Sequence, residues 1–276
     1  MPFKDLVVHL ENTEQGAERL KIAVDIAARH DAHLTGIATV TYPRMPGYIE
    51  AQIGKAVMEE QHRQYRADAD ATKPAFEEAV RAAGLRGEWR GVIGDQLDVL
   101  QLHGRYSDMV IVGQREPDLT EGAADMPDQL ILSLGRPVLV VPYAGHFDTV
   151  GKRVMVGWDG SRLSTRAVHA AMPFLEAADQ VSVMCVDPKN GLQGDGDLPG
   201  ADLALHLARH DVKADAEHVT SGDLSVGDVF LSRAADEGID LLVIGAYGHA
   251  RWREIVLGGV TRDLLAHMTV PVLLSH

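Results

Sequence analysis

The sequence predicts an α/β fold with parallel sheet, present twice along the chain. Three observations carry this expectation. Short runs rich in Val, Ile and Leu recur through the 276 residues, near-continuously apolar as strands covered on both faces are. Longer amphipathic stretches lie between them, and strands alternating with helices build right-handed βαβ units. The order of runs and helices then repeats once over the length of a whole domain, which marks a tandem duplication and not a solenoid.

In chain order, strands are expected over residues 5–10, 35–40, 108–113 and 137–142, then over 153–158, 180–186, 240–245 and 271–275. Helices are expected over 17–30, 75–84, 164–178 and 226–238, where apolar residues recur at helical spacing. Asp5 and the residues after it resemble Arg153 onward, 94–113 resembles 222–245, and 136–142 resembles 270–276. The first half is longer between its opening and fourth strands, and the excess falls in the polar, Ala- and Gln-rich stretch 42–74. A turn-forming stretch at 143–152 separates the halves, so domains are expected at 1–148 and 149–276.

The 26 basic and 40 acidic residues leave a formal charge of −14, and both halves are acidic. This argues against nucleic-acid binding, which needs a basic footprint, and against an electrostatic membrane anchor. One cysteine, Cys185, excludes an intramolecular disulfide framework. The opening apolar run is too short and too soon broken by acids for a signal peptide, and no segment reaches the length of a membrane span. A cytoplasmic protein is the expectation.

The strongest local signal lies in the last quarter. Gly245 and Gly248 follow a buried strand, and Gly258 and Gly259 precede Val260 and Thr261, which open a helix. Glycines after a strand let backbone turn sharply and approach a ligand, and the free amides of a helix N-terminus attract phosphate. The alternative is that they only make tight loops. Asp159 stands at the carboxyl end of the first strand of the same half, followed by Gly160 and Ser161. It could hydrogen-bond a ribose or base, or help hold a metal; alternatively it or Ser161 caps the next helix.

On these residues the chain resembles a tandem universal stress protein, with the likeness running through both copies. Gly245, Gly248 and Gly258 match that family's nucleotide motif, Gly-x2-Gly-x9-Gly followed by Ser or Thr. The resemblance implies two Rossmann-like domains, each a five-stranded parallel sheet flanked by helices. It also implies that their last strands pair, here 138–141 against 272–275, as a pseudo-dimer within one chain. It implies ATP, with or without Mg, held by Gly245, Gly248, Gly258, Gly259, Val260 and Thr261. Asp159, Val186 and Ile244 would line the adenosine end.

Gly259 departs from the pattern, because it removes a hydroxyl aimed at phosphate while keeping the amide. The first half departs further. Glu116 stands where the second glycine belongs, no Gly-Ser or Gly-Gly follows it, and Glu11 replaces Asp159. An acidic side chain facing a phosphate slot repels it, so this half is read as a copy serving structure, pairing or regulation. Arg251, Arg253, Tyr247 and His249 lie within the glycine spacer, where surface roles compete with ligand contact.

Among 13 histidines, His206 and His210 share a helix face with Asp202 at i, i+4 and i+8, but no zinc-site signature accompanies them, so a solvated face is expected. His30 and His33 sit near a helix end. No Walker, GxGxxG or nucleophile-elbow motif occurs, and no general base can be placed. The leading reading is a nucleotide-responsive binding module of the stress response, with no catalytic residue and no metal ligand assigned. A scaffold that binds no nucleotide, and a slow Mg-dependent ATP hydrolase, stand as alternatives. Further pairing into a homodimer and the protein partner are left open.

Overall fold

The computed structural model describes residues 2–42, 55–115, 126–188, 200–246 and 259–276. Contacts divide the chain into two compact units, 2–111 and 112–276.

The first unit runs β1 (Asp5–Leu10), α1 (Glu14–His30), β2 (His33–Val40), α2 (Lys55–Asp70), α3 (Thr72–Ala82), β3 (Gly87–Ile93), α4 (Gln96–Gly104) and into β4 (Met109–Gly113). Its strands lie in the order β3-β2-β1-β4, all parallel. Leu6, Val8, Leu34, Ile37 and Met109 are buried along these strands. Thr13 caps α1 by accepting from the Gly16 amide, and Asp95 caps α4 by accepting from Leu97 and Asp98.

The second unit continues with α5 (Met126–Ser133), β5 (Val138–Val141), β6 (Arg153–Gly157), α6 (Arg162–Leu175), β7 (Gln180–Val186) and α7 (Ala201–Ala208). It ends with β8 (Ala214–Val219), α8 (Val226–Asp236), β9 (Leu241–Gly245), α9 (Gly259–His267) and β10 (Val272–Ser275). The strand order is β5-β10-β9-β6-β7-β8, parallel except where β10 meets β5. There Leu273 pairs Leu139 and Leu274 pairs Val138 in antiparallel register, which is the pairing of last strands that the resemblance implies. This pairing also explains why the contact division falls inside β4: β5 is hydrogen-bonded to β10. Asp240 ties the loop before β6 to the sheet, accepting from Thr149 Oγ1 and the amides of Gly151, Lys152 and Arg153.

Two strands absent from the apolar reading, β3 and β8, are the outer ones. Their residues are exposed or half-buried, so they lack the continuous apolar run that marks a covered strand. Cys185 is buried in β7.

Candidate functional site

In the second unit β6 pairs with β7 on one side and β9 on the other. The chain leaves β6 and β9 toward opposite faces at such a point, and a crevice opens outside the carboxyl ends of the strands. A pocket occupies that place. It is lined by Gly157, Trp158, Asp159, Ser161, Ser164, Val186, Val226, Phe230, Ile244, Gly245, Gly259, Val260 and Thr261.

All seven described members of the expected nucleotide set, Asp159, Val186, Ile244, Gly245, Gly259, Val260 and Thr261, meet on it. Gly248, Gly258, Arg251, Arg253, Tyr247 and His249 lie outside the described residues. Sequence reasoning missed Gly157, Trp158, Ser164, Val226 and Phe230. Val226 and Phe230 stand one turn apart on α8, a spacing that reads equally as ordinary core.

The pocket has an apolar wall, from Val186, Val226, Phe230 and Ile244, and a polar rim. Ser161 is the N-cap of α6, accepting from the Ser164 amide at 3.2 Å, while Asp159 Oδ1 accepts from the Ser161 amide at 3.0 Å. The capping role therefore belongs to Ser161, and Asp159 both braces the turn and faces the pocket. Gly259, Val260 and Thr261 are the first described residues of α9, so the pocket lies at the amino-terminal end of that helix, where the macrodipole favours an anion.

The glycines differ in what they permit. A Cβ on Gly245 would stand 2.5 Å from backbone atoms of Leu163 and Ser164, so α6 packs directly on it. A Cβ on Gly157 would meet Phe230 and Ile244 at 2.8 and 2.9 Å, inside the pocket wall. Among the described residues, a Cβ on Gly259 would meet nothing within 4 Å.

The corresponding place in the first unit is filled. His9 stands where the second copy has Gly157, and its buried ring contacts Thr39 Oγ1 and Gln96 at 3.4 Å. Arg19 is buried beside it, donating from Nε to the His9 carbonyl at 2.7 Å and from a terminal nitrogen to Glu11 at 2.6 Å. Glu11 thus has its charge matched by Arg19. His9 and Arg19 thus occupy the place that Gly157 leaves open in the second copy. Glu116 lies outside the described residues.

Burial pushes the His9 imidazole down to about 4; the nearby Glu11 opposes this and the Arg19 cation adds to it. Burial works to raise Glu11, but the charges of His9 and Arg19 outweigh it and hold the carboxyl below its ordinary value. A histidine whose folded value lies below its unfolded value of 6.5 favours the fold while neutral. That stabilisation is complete above about pH 6.5 and is lost as pH falls toward 4. Glu11 adds a loss below its unfolded value of 4.5. The urea midpoint is therefore expected to fall from pH 7 to 4.5, and His9→Gln to make that fall shallower. An unchanged slope in the variant would remove His9 as the cause.

Together these features define an α/β protein with an open crevice at the switch point of its second copy and a self-filled one in its first. Residues 151–276 match the model of the universal stress protein family. A universal stress protein of Synechocystis sp. is 30% identical over 190 residues, which is 65% of this chain and 62% of that protein, so the match spans about three fifths of the relative's length. A universal stress protein from Archaeoglobus fulgidus shares the fold with a TM-score of 0.75 at 14% identity, covering 98% of this chain and 97% of the other. A functionally unknown protein from Pseudomonas aeruginosa PAO1 covers 99% of this chain and 92% of its own, at 14% identity and a TM-score of 0.57. Residues 151–276 thus carry a domain of the universal stress protein family, and the chain as a whole resembles proteins of that family. Among the described residues no helix is long and apolar enough to cross a membrane.

Proposed function

We propose that the second copy, 149–276, binds an adenine nucleotide, with ATP as the leading candidate, and that the first copy, 1–148, is a partner domain that binds none. The observation that carries this reading is the convergence of the seven expected residues on one pocket with an apolar wall and a helix N-terminus on its lining. The apolar wall suits a purine ring, Asp159 suits a ribose hydroxyl, and the opening turn of α9 suits phosphate. The backbone supplies the phosphate contacts, so a chain of net charge −14 can hold a polyanion at one point. Ligand bound here stabilises the folded state by mass action and shifts any equilibrium of the surrounding segments that it prefers. In this reading the protein is a nucleotide-responsive module of the cytoplasm.

The test is calorimetric titration of the full chain with ATP, with and without Mg, alongside a turnover assay. Gly157→Val, whose Cβ meets Phe230 and Ile244 inside the pocket wall, is expected to abolish binding, with circular dichroism reporting the fold. Gly259→Ser is expected to tighten binding at least about tenfold, since one hydrogen bond to a charged group is worth roughly 1.5–3 kcal/mol and the added Cβ meets no neighbour within 4 Å among the described residues. Absence of any adenine-nucleotide binding in the native and Gly259→Ser proteins would overturn the reading in favour of a scaffold. Mg-dependent turnover lost in Gly157→Val would replace the module with a hydrolase.

A further inference from the structure

A second cavity lies in the second unit, beside the place where β5 meets β10. Its volume is about 390 Å³, within the usual range of small-molecule sites. Different elements border it. The exit of β4 supplies Gln114 and Arg115, α5 supplies Asp128, and α9 supplies Arg262 and Leu265.

Gln114 fixes these walls to one another. It is buried, and its side-chain nitrogen donates to the carbonyls of Leu265 at 2.9 Å and Ala266 at 3.2 Å. Its side-chain oxygen accepts from the Tyr143 amide at 3.1 Å. The exit of β4, the exit of β5 and α9 are thereby held in place before any ligand arrives, which lowers the cost of binding one. The other copy does not repeat the device. Ala246 is the counterpart of Gln114, because each donates its backbone amide to the end of a last strand, Gln114 to Val141 at 2.7 Å and Ala246 to Ser275 at 2.9 Å. Alanine has no side-chain amide, so this frame belongs to one side of the duplicated fold.

Charge sets what the cavity can hold. Arg115 and Arg262 reach one lining from different elements, against the single carboxylate of Asp128 among the lining residues. The lining is therefore net positive in a chain of net charge −14. Asp128 stands in the first turn of α5, where the helix dipole already stabilises it. Among the described residues Arg262 makes no hydrogen bond or ion pair, so its guanidinium is available to a ligand. A guanidinium recognises carboxylate or phosphate oxygens through paired N–H bonds. Both arginines are exposed, and one exposed ion pair is worth little, so the two must act together. Val140 and Leu265 give the same cavity an apolar part.

We propose that this cavity binds a small organic anion, with its carboxylate or phosphate held by Arg115 and Arg262 and its carbon skeleton against Val140 and Leu265. The ligand bridges the exit of β4 to α9. The site shares no lining residue with the nucleotide pocket, so it stands or falls independently of it.

The experiment is calorimetric titration of the full chain at low ionic strength with succinate and with glycerol 3-phosphate. Succinamide and glycerol serve as their uncharged counterparts. The expected result is one saturable equivalent of at least one anion, weakened by added salt, and none of either uncharged molecule. The anion bound more tightly identifies the head group as carboxylate or phosphate. Arg262→Gln and Arg115→Gln are each expected to weaken binding about tenfold, with circular dichroism reporting the fold. Arg115 does not line the nucleotide pocket, so an anion lodged there would be indifferent to Arg115→Gln. No saturable binding of either anion at about 10 mM or below, or affinity undiminished in either folded variant, overturns the proposal.

Discussion

Gly245→Ala is expected to destabilise the protein by about 3 kcal/mol, at the upper end for inserting one methyl into a packed site. The cost is high because of what the methyl meets. Its nearest neighbours, at 2.5 and 2.9 Å, are the carbonyl carbon, oxygen and amide of the Leu163–Ser164 peptide. Backbone in the first turn of a helix cannot escape by changing rotamer. Relief requires α6 to lift from β9, and α6 buries Leu163, Val168, Phe174 and Leu175. The Ser161 cap and Ser164, both on the pocket rim, move with it. The denaturant midpoint should fall with an unchanged m-value, and nucleotide affinity should fall with it. A midpoint equal to that of the native chain would show that the helix yields freely. The first glycine of the motif is thus required by packing, whether or not a ligand is present.

Arg19→Ala is the second large effect, also expected at about 3 kcal/mol. Arg19 is 2% exposed and leads the fully buried side chains by volume. Its removal leaves a cavity, takes a donor from the His9 carbonyl, and leaves a Glu11 carboxylate beside a buried imidazole. Glu11 is 47% exposed, so water recovers part of its solvation, which keeps the figure at the lower end of the range for broken buried pairs. Arg19→Met, which keeps most of the volume, should cost about half as much, because the cavity term is largely removed. Equal losses in the two variants would mean that packing contributes nothing and the bonds everything. Neither substitution is expected to change ligand binding in the second copy.

Much of this was legible along the chain. The central strands announce themselves because strands covered on both faces must be apolar throughout. Outer strands β3 and β8 are only half covered, so their alternating residues merge with the flanking loops. The glycine spacing pointed to the pocket because the motif is local, with strand end, loop and helix start close in sequence. Its lining residues Gly157, Trp158, Val226 and Phe230 carried no signal, since an apolar residue facing a ligand and one facing the core look alike in sequence. The histidines repeat the lesson: the i, i+4 pair could be seen on α7, but His169 lies 37 residues before His206 and only packing brings them together.

Sequence alone determined that the chain is a duplicated parallel α/β protein and which copy carries the Gly-x2-Gly-x9-Gly spacing. Periodicity and glycine spacing are short-range properties, written directly in residue order. Only tertiary structure decided that Gly245 is held by the backbone of α6, that His9 and Arg19 fill the first copy's site, and that Gln114 ties the exit of β4 to α9. Each of those is a contact between segments distant along the chain, and its sign depends on a few ångströms of packing that no local pattern records.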